Sequence, residues 1–418
     1  MRTLIFNPKE IAFISSKRKK YKRGKEMSDA EISGGKSIVV ENGIIKEILN
    51  TNEVDLRDYE KVIDCSEKLL APAFVESHTH LAFVGSRANE FKMKIEGATY
   101  EQIAQAGGGI ISTVKSVRQA SLSELISNME KKIYRMITRG IGTIEIKSGY
   151  GLDYENEKKL LIAINYLKKN SDIDIFSTFL GAHTTPPEFK SDKKKYINLI
   201  CDHMLPDFSK EGLIDFCDGF CEKTAFSAEE IDEIFTIAQK FGIQLKLHSE
   251  QFNNIGGLNI AIDRKAVSVD HLEVISEKDI DYAASSETVL TLLPGVSFYL
   301  NYDFAPARKL IDAGGIVALA TDYNPGSSPI IDLPLIGSFA CVKMKMRVDE
   351  VLCALTLNAA AALNFSDKVG SVEIGKQADF AIFEADSFAD IFYNIGTNLN
   401  CMTIKKGKVI YNKYKEEL

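Results

Sequence analysis

Short apolar runs alternate with longer amphipathic stretches through most of the chain. Eight runs have strand character, at 71–77, 141–147, 173–180, 216–221, 243–247, 266–269, 288–293 and 316–320. Several lack polar alternation, as expected of parallel strands covered on both faces. Between them, apolar residues recur at helical spacing. Ser121 is placed to cap a helix over 122–138, and 155–169 is amphipathic. Ser227-Ala228-Glu229-Glu230 is a capping signature that opens a helix running to Lys240. Eight strand–helix repeats predict an α/β fold, a (β/α)8 TIM barrel, over residues 72–364.

The two ends of the chain have a different pattern. Over 37–48, two strand-like runs flank Asn42-Gly43, a strong hairpin signal. The run 378–383 and the stretch 402–411, with Gly407 at its turn, have the same character. Residues 1–71 and 365–418 are therefore expected to form one small β-sandwich domain. The basic run Lys17-Arg18-Lys19-Lys20-Tyr21-Lys22-Arg23 is read as a solvated loop rather than a polyanion patch.

Composition narrows the function classes. The 418 residues are 45% hydrophobic and 26% charged, with net charge −7. That balance argues against nucleic acid or an anionic membrane as partner. No run approaches the roughly 20 apolar residues of a membrane span, and the first residues lack a signal-peptide core. A cytoplasmic protein is expected. The seven cysteines include no C-x-x-C pair. They are read as buried free thiols of a reducing compartment, and Cys217 and Cys221 are not read as a zinc pair.

Chemistry concentrates at strand ends. Of only six histidines, five follow four of the strand runs. His78 and His80 follow the first, His183 the third, His248 the fifth and His271 the sixth. Lys147 and Tyr150 follow the second, Glu222 the fourth and Asp322 the eighth. Barrel active sites are built at the C-terminal ends of the strands. Residues at i and i+2 of an extended segment face the same way, so His78 and His80 can reach one ion. Strands one and eight are neighbours in a closed barrel, which brings Asp322 to that pair, and strand five lies across the mouth. Three imidazoles and one carboxylate suit zinc or ferrous iron. His271 is read as a proton-transfer or water-orienting group and His183 as a substrate contact. His203 lies in a helical stretch and is expected to be inert. Arg87, in Gly85-Ser86-Arg87, can grip a carboxylate in bidentate fashion. The turn from Tyr323 to Pro329 presents an amide, a hydroxyl and backbone N–H groups. Gly107-Gly108-Gly109 lacks the context of a phosphate loop and is read as a loop over the barrel mouth.

These segments resemble a known family. The carriers are Glu76-Ser77-His78-Thr79-His80 through Gly85-Ser86-Arg87, Gly97-Ala98-Thr99-Tyr100 and Ala106-Gly107-Gly108-Gly109-Ile110. To these are added Glu145-Ile146-Lys147-Ser148-Gly149-Tyr150-Gly151-Leu152, Phe179-Leu180-Gly181-Ala182-His183, His248-Ser249-Glu250-Gln251 and Thr321-Asp322-Tyr323-Asn324-Pro325-Gly326. The chain resembles the metal-dependent amidohydrolase superfamily and, more narrowly, the imidazolonepropionase family of histidine degradation. The resemblance implies a hydrolase acting on a cyclic amide C–N bond, with one Zn2+ or Fe2+/Fe3+ per subunit at His78, His80, His248 and Asp322. It implies that Arg87, Tyr150, His183 and Gln251 bind the small-molecule substrate 4-imidazolone-5-propanoate. Asn324, Gly326 and Ser327 would hold the substrate or its ring-opened product. His271 and Asp322 would move protons, His183 would support the oxyanion, and the enzyme would be a homodimer. Two departures matter. Related amidohydrolases often have Glu where Gln251 stands, and Gln cannot shuttle a proton as a carboxylate does. No lysine ends strand four, where Glu222 stands, which argues against a dinuclear site. Two other readings share the barrel: a cyclic-amidine deaminase releasing ammonia, and a non-catalytic scaffold. The full ligand set argues against the second.

Overall fold

A computed structural model describes residues 2–98, 102 and 107–416. All eight expected strands form one parallel sheet, in chain order: Phe74–Glu76, Ile141–Lys147, Asp174–Ala182, Phe216–Cys221, Gln244–Ser249, Ser268–His271, Val289–Leu292 and Val317–Leu319. They are called barrel strands one to eight below. The ring closes just beyond the ends of strands one and eight. There Asp322 N–H donates to the His78 carbonyl (3.1 Å) and His80 N–H to the Tyr323 carbonyl (3.0 Å). Helices follow each strand, so the fold is a (β/α)8 barrel.

The helices form where the sequence supplies caps and apolar stripes. Leu122–Ile137 begins at Ser121, whose hydroxyl accepts Glu124 N–H, and buries Leu125, Met129, Ile133 and Met136 on one face. Burying each such side chain is worth roughly 1.5–3 kcal/mol. Ala228–Lys240 has a complete capping box between Ser227 and Glu230. Tyr154–Asn170 starts at Asp153, which accepts Asn156 N–H.

Two further sheets come from the chain ends. Strands Arg2–Phe6, Lys36–Glu41, Ile44–Asn50 and Lys61–Asp64 form one, with the Asn42-Gly43 turn in the left-handed region as a tight hairpin requires. The other joins Glu10–Ala12, Ile32–Ser33 and Leu69–Pro72 to Phe380–Phe383, Asn400–Lys405 and Lys408–Asn412. Ile5, Ile11, Ile38, Ile45, Phe380 and Ile404 share the core between them.

Three expectations are corrected. The first expected strand, 71–77, falls across two strands in two sheets: Leu69–Pro72 pairs antiparallel with Phe380–Phe383, while Phe74–Glu76 pairs in parallel with strand two. The basic run is only half solvated. Residues 17–20 are exposed, but Lys22 is buried and Arg23 donates to the carbonyls of Gly314, Ala284 and Ser286, strapping the segment to the barrel floor. The third strand runs two residues further than expected, to Ala182. The cysteines are all free, and all but the half-buried Cys341 are buried. Among the described residues, no helix is long and apolar enough to cross a membrane. Thr99, Tyr100 and Ala106, part of the matched segments, lie outside the described residues.

Candidate active site

Inside the barrel, alternate strand residues share one face, and the layers change character with height. The floor is apolar, with Val75, Phe216, Val289 and Ala318 in one cluster. Above it sits a fully buried charged layer: Glu145, Lys147, Asp218, Lys246 and Asp270. Lys147 Nζ reaches Glu145 Oε1 at 2.6 Å, Asp218 Oδ2 at 2.8 Å and Asp270 Oδ2 at 3.9 Å. The histidines lie on top of this layer.

Two carboxylates of the charged layer orient two imidazoles. Asp270 Oδ2 lies 2.6 Å from His78 Nδ1, and Asp218 Oδ1 lies 3.1 Å from His248 Nδ1. Burial opposes ionisation of both acids. His248 and Lys147 overcome it at Asp218, and Lys246, His78 and Lys147 at Asp270, so both stay well below the usual carboxylate range. Ionised carboxylates only accept, so each imidazole donates from Nδ1 and directs its Nε2 upward.

Those nitrogens meet other ligand atoms. His80 Nε2 lies 3.1 Å from His248 Nε2 and 3.2 Å from Asp322 Oδ1, and His78 Nε2 lies 3.4 Å from the same oxygen. All four groups are buried. Among the described residues, His78 Nε2 and Asp322 Oδ1 have no hydrogen-bond partner. Burial and Lys147 work against a charge on His78, yet Asp270 and Asp322 outweigh them and raise its pKa to about 9, so without a metal its Nε2 holds a proton that a bound cation would displace. Burial keeps His80 and His248 neutral. Imidazole nitrogens converging on one acidic oxygen in this way fit a divalent cation, which would take the place of the His78 proton. His78, His80 and Asp322 offer ligand atoms within 4.8 Å of one another, and so do His78, His248 and His271. The borderline imidazole–carboxylate set suits zinc or iron alike.

His271 sits at the edge of the cluster. Its Nδ1 faces the Glu273 carboxylate at 3.4 Å, and its backbone has a φ of 90°. Left-handed backbone at a non-glycine residue costs on the order of 1 kcal/mol or more and concentrates at functional sites. Asp322, with φ 51°, shares the feature.

A cavity of about 270 Å³ opens above the cluster, lined by His80, Arg87, Gly109, Tyr150, His183, Phe220, His248, Gln251, His271, Asp322, Asn324, Gly326 and Ser327 among others. Every residue expected to touch substrate thus lines the same space. His183 donates from Nδ1 to the Gly149 carbonyl (2.9 Å), and burial pushes its pKa down to about 3. It is therefore neutral and shows the cavity a bare Nε2, which accepts. Asn324 folds the last turn onto itself: its Oδ1 accepts the N–H groups of Gly326 and Ser327, and its Nδ2 donates to Asp322 Oδ2. Gln251 donates to Tyr302 Oη.

The structure separates other residues from this group. His203 is exposed on the helical stretch 193–210. Glu222 accepts the N–H groups of Phe252 and Asn253, fixing the loop after strand five. Glu250 Oε1 lies 3.5 Å from Leu258 N and Ser249 Oγ. The sequence reading missed Glu145, Asp218, Lys246, Asp270 and Glu273. For all but Glu273, which follows strand six, the signal was present: charged residues inside largely apolar strands.

A parallel barrel with imidazoles and an acidic side chain gathered at its mouth defines a class, the metal-dependent amidohydrolases. The Amidohydrolase family profile matches residues 69–410, and the chain belongs to that family. Solved structures agree in fold: a zinc-bound adenosine deaminase from Xanthomonas campestris (TM-score 0.73, 16% identity, 98% of this chain and 93% of that one) and E. coli guanine deaminase (TM-score 0.69, 13%, 99% of each). Sequence places it more narrowly among the imidazolonepropionases. It is 41% identical over 395 residues to that enzyme of Clostridium tetani, covering 94% of each chain. It is 44% identical over 379 residues to that of Treponema denticola, covering 90% of this chain and 92% of the other.

Proposed function

We propose that the protein hydrolyses the ring amide C–N bond of 4-imidazolone-5-propanoate to give N-formimidoyl-L-glutamate, with one zinc or iron ion per subunit of a cytoplasmic homodimer. The observation that supports this is the shared cavity: Arg87, read as a carboxylate anchor, lines the same space as His80, His248 and Asp322, three of the four converging ligand residues. The identity of 41–44% with imidazolonepropionases supports the substrate.

His78, His80, His248 and Asp322 would hold the metal. When bound, such an ion lowers the pKa of water to about 7 and polarises a carbonyl. The chain's own groups do the rest. Arg87 pairs with the propionate and so orients the ring. His183, as an acceptor, takes a hydrogen bond from a ring N–H; this replaces the oxyanion role expected from the sequence. Asp322 or His271 accepts the proton of the attacking water, with Glu273 behind His271 steadying the charge it gains. As oxygen bonds to the ring carbonyl carbon and the C–N bond breaks, that proton passes to the departing ring nitrogen. Tyr150 and Phe220 wall the site from bulk water.

Incubating metal-analysed protein with the substrate should yield formimidoylglutamate by mass and no free ammonia; ammonia release would point to the deaminase instead. Arg87→Ala should raise KM about 10–100-fold with a smaller change in kcat, as expected for losing a charge-assisted hydrogen-bond pair of about 1.5–3 kcal/mol. An unchanged KM would remove Arg87 as the anchor.

A further inference from the structure

Arg87 does not stand free at the cavity wall. It precedes the helix Ala88–Ile95, and Glu90 in that helix's first turn reaches back to it. Glu90 Oε2 accepts three N–H groups at once: Arg87 Nε at 2.9 Å, Arg87 Nη2 at 2.6 Å and the backbone N–H of Gly109 at 3.1 Å. Both side chains are mostly shielded, with 21% and 16% of Arg87 and Glu90 exposed. On its other side the guanidinium lies against Gly326, where an added Cβ would fall 2.1 Å from Nη1. The fork is thus held from two directions, by a carboxylate at the Nε edge and a bare backbone at the Nη1 end.

We infer that Glu90 is the positioning residue for the substrate-carboxylate anchor: it fixes the Arg87 guanidinium so that only the Nη1/Nη2 edge faces the cavity, and ties the glycine segment at Gly109 to the same oxygen. The inference rests on the reading of Arg87 as the anchor. A guanidinium offers two bidentate edges, and an unrestrained side chain would sample many rotamers. With one edge filled, the incoming carboxylate meets a single preset edge and less side-chain entropy is lost on binding. Gly109 also lines the cavity, so the wall and the anchor are set together. The same contact admits an opposite consequence. If Glu90 instead stood where the propionate must go, it would compete with substrate, and the sign of the KM change tells the two apart.

The test compares Glu90→Ala, Glu90→Gln, Arg87→Ala and the double variant in steady-state assays with 4-imidazolone-5-propanoate. Glu90→Ala should raise KM about 10-fold while kcat changes less than about twofold, the pattern of lost binding shared by ground and transition states. Glu90→Gln keeps the acceptor without the charge and should recover part of that loss. The double variant should be no worse in KM than Arg87→Ala alone, because both changes act through one group. A lower KM in Glu90→Ala, or no change, overturns the inference while Arg87→Ala still raises KM. If Arg87→Ala itself leaves KM unchanged, it is the anchor reading that fails. Equal loss of kcat and thermal stability with no KM effect would mark Glu90 as merely structural and also overturn it.

Discussion

His78→Ala should lose bound metal and hydrolysis together, with kcat/KM falling by about 10^3-fold or more, because the electrophilic work of a bound metal amounts to several kcal/mol. His78 is the member of the cluster most completely committed to it. Its Nδ1–H is held by Asp270, and its buried Nε2 has no hydrogen-bond partner among the described residues and faces Asp322 Oδ1 at 3.4 Å. Truncation also exposes a second cost. Asp270 would keep the Ser268 hydroxyl at 2.6 Å and Lys147 and Lys246 at 3.9 Å, but lose its closest charged donor. Leaving that acceptor short should lower stability by about 1–3 kcal/mol. His80→Ala should empty the site equally with less damage to the fold, since among the described residues His80 Nδ1 has no hydrogen-bond partner to lose. His203→Ala, at an exposed position, should retain activity. Metal content after desalting, kcat/KM and urea midpoints measure all three. Stoichiometric metal with normal turnover in His78→Ala would falsify the assigned site.

The parts of this molecule that were legible in the sequence are those set by local pattern. Eight buried strands show as apolar runs, and Ser121 and Ser227 mark helix starts because a cap needs a short side-chain acceptor at a fixed place. The five mouth histidines were found because a strand end in a barrel is a chemical address. What escaped depends on partners distant in the chain. Residues 71–77 look like one strand, yet Leu69–Pro72 and Phe74–Glu76 turn to different sheets, and periodicity carries no information about which neighbour a strand takes. Lys22 and Arg23 looked solvated because their acceptors, the carbonyls of Asp29, Gly314, Ala284 and Ser286, are backbone atoms that no composition reveals. The acceptor character of His183 was equally hidden, since it follows from the carbonyl of Gly149, a residue 34 positions earlier.

Lys147→Met should destabilise the protein by about 3–5 kcal/mol and weaken metal retention by about 10–100-fold, although the lysine is not placed to touch metal or substrate. The reason lies in the charged layer beneath the site. Lys147 is fully buried, and burial opposes its charge, but Asp218, Glu145 and Asp270 overcome that penalty and keep it protonated. Remove the ammonium and Glu145 retains Thr178 Oγ1 at 2.5 Å and Thr79 N–H at 3.2 Å, but no cation in direct contact. Asp218 retains His248 and the Gly219 N–H. Two buried carboxylates then repel each other through a medium of low polarity, and the less costly outcome is for one to take a proton. A protonated Asp218 would no longer hold His248 Nδ1–H as an acceptor of full charge, so the imidazole loses its fixed orientation. Stability and metal affinity therefore fall through one cause. Adding Glu145→Gln to Lys147→Met removes one of the unmatched charges and should restore part of both. Urea unfolding of the metal-free proteins and competition for zinc against a chelator give the two numbers separately. Unaltered zinc affinity in Lys147→Met would show that the layer supports the barrel without setting the ligands.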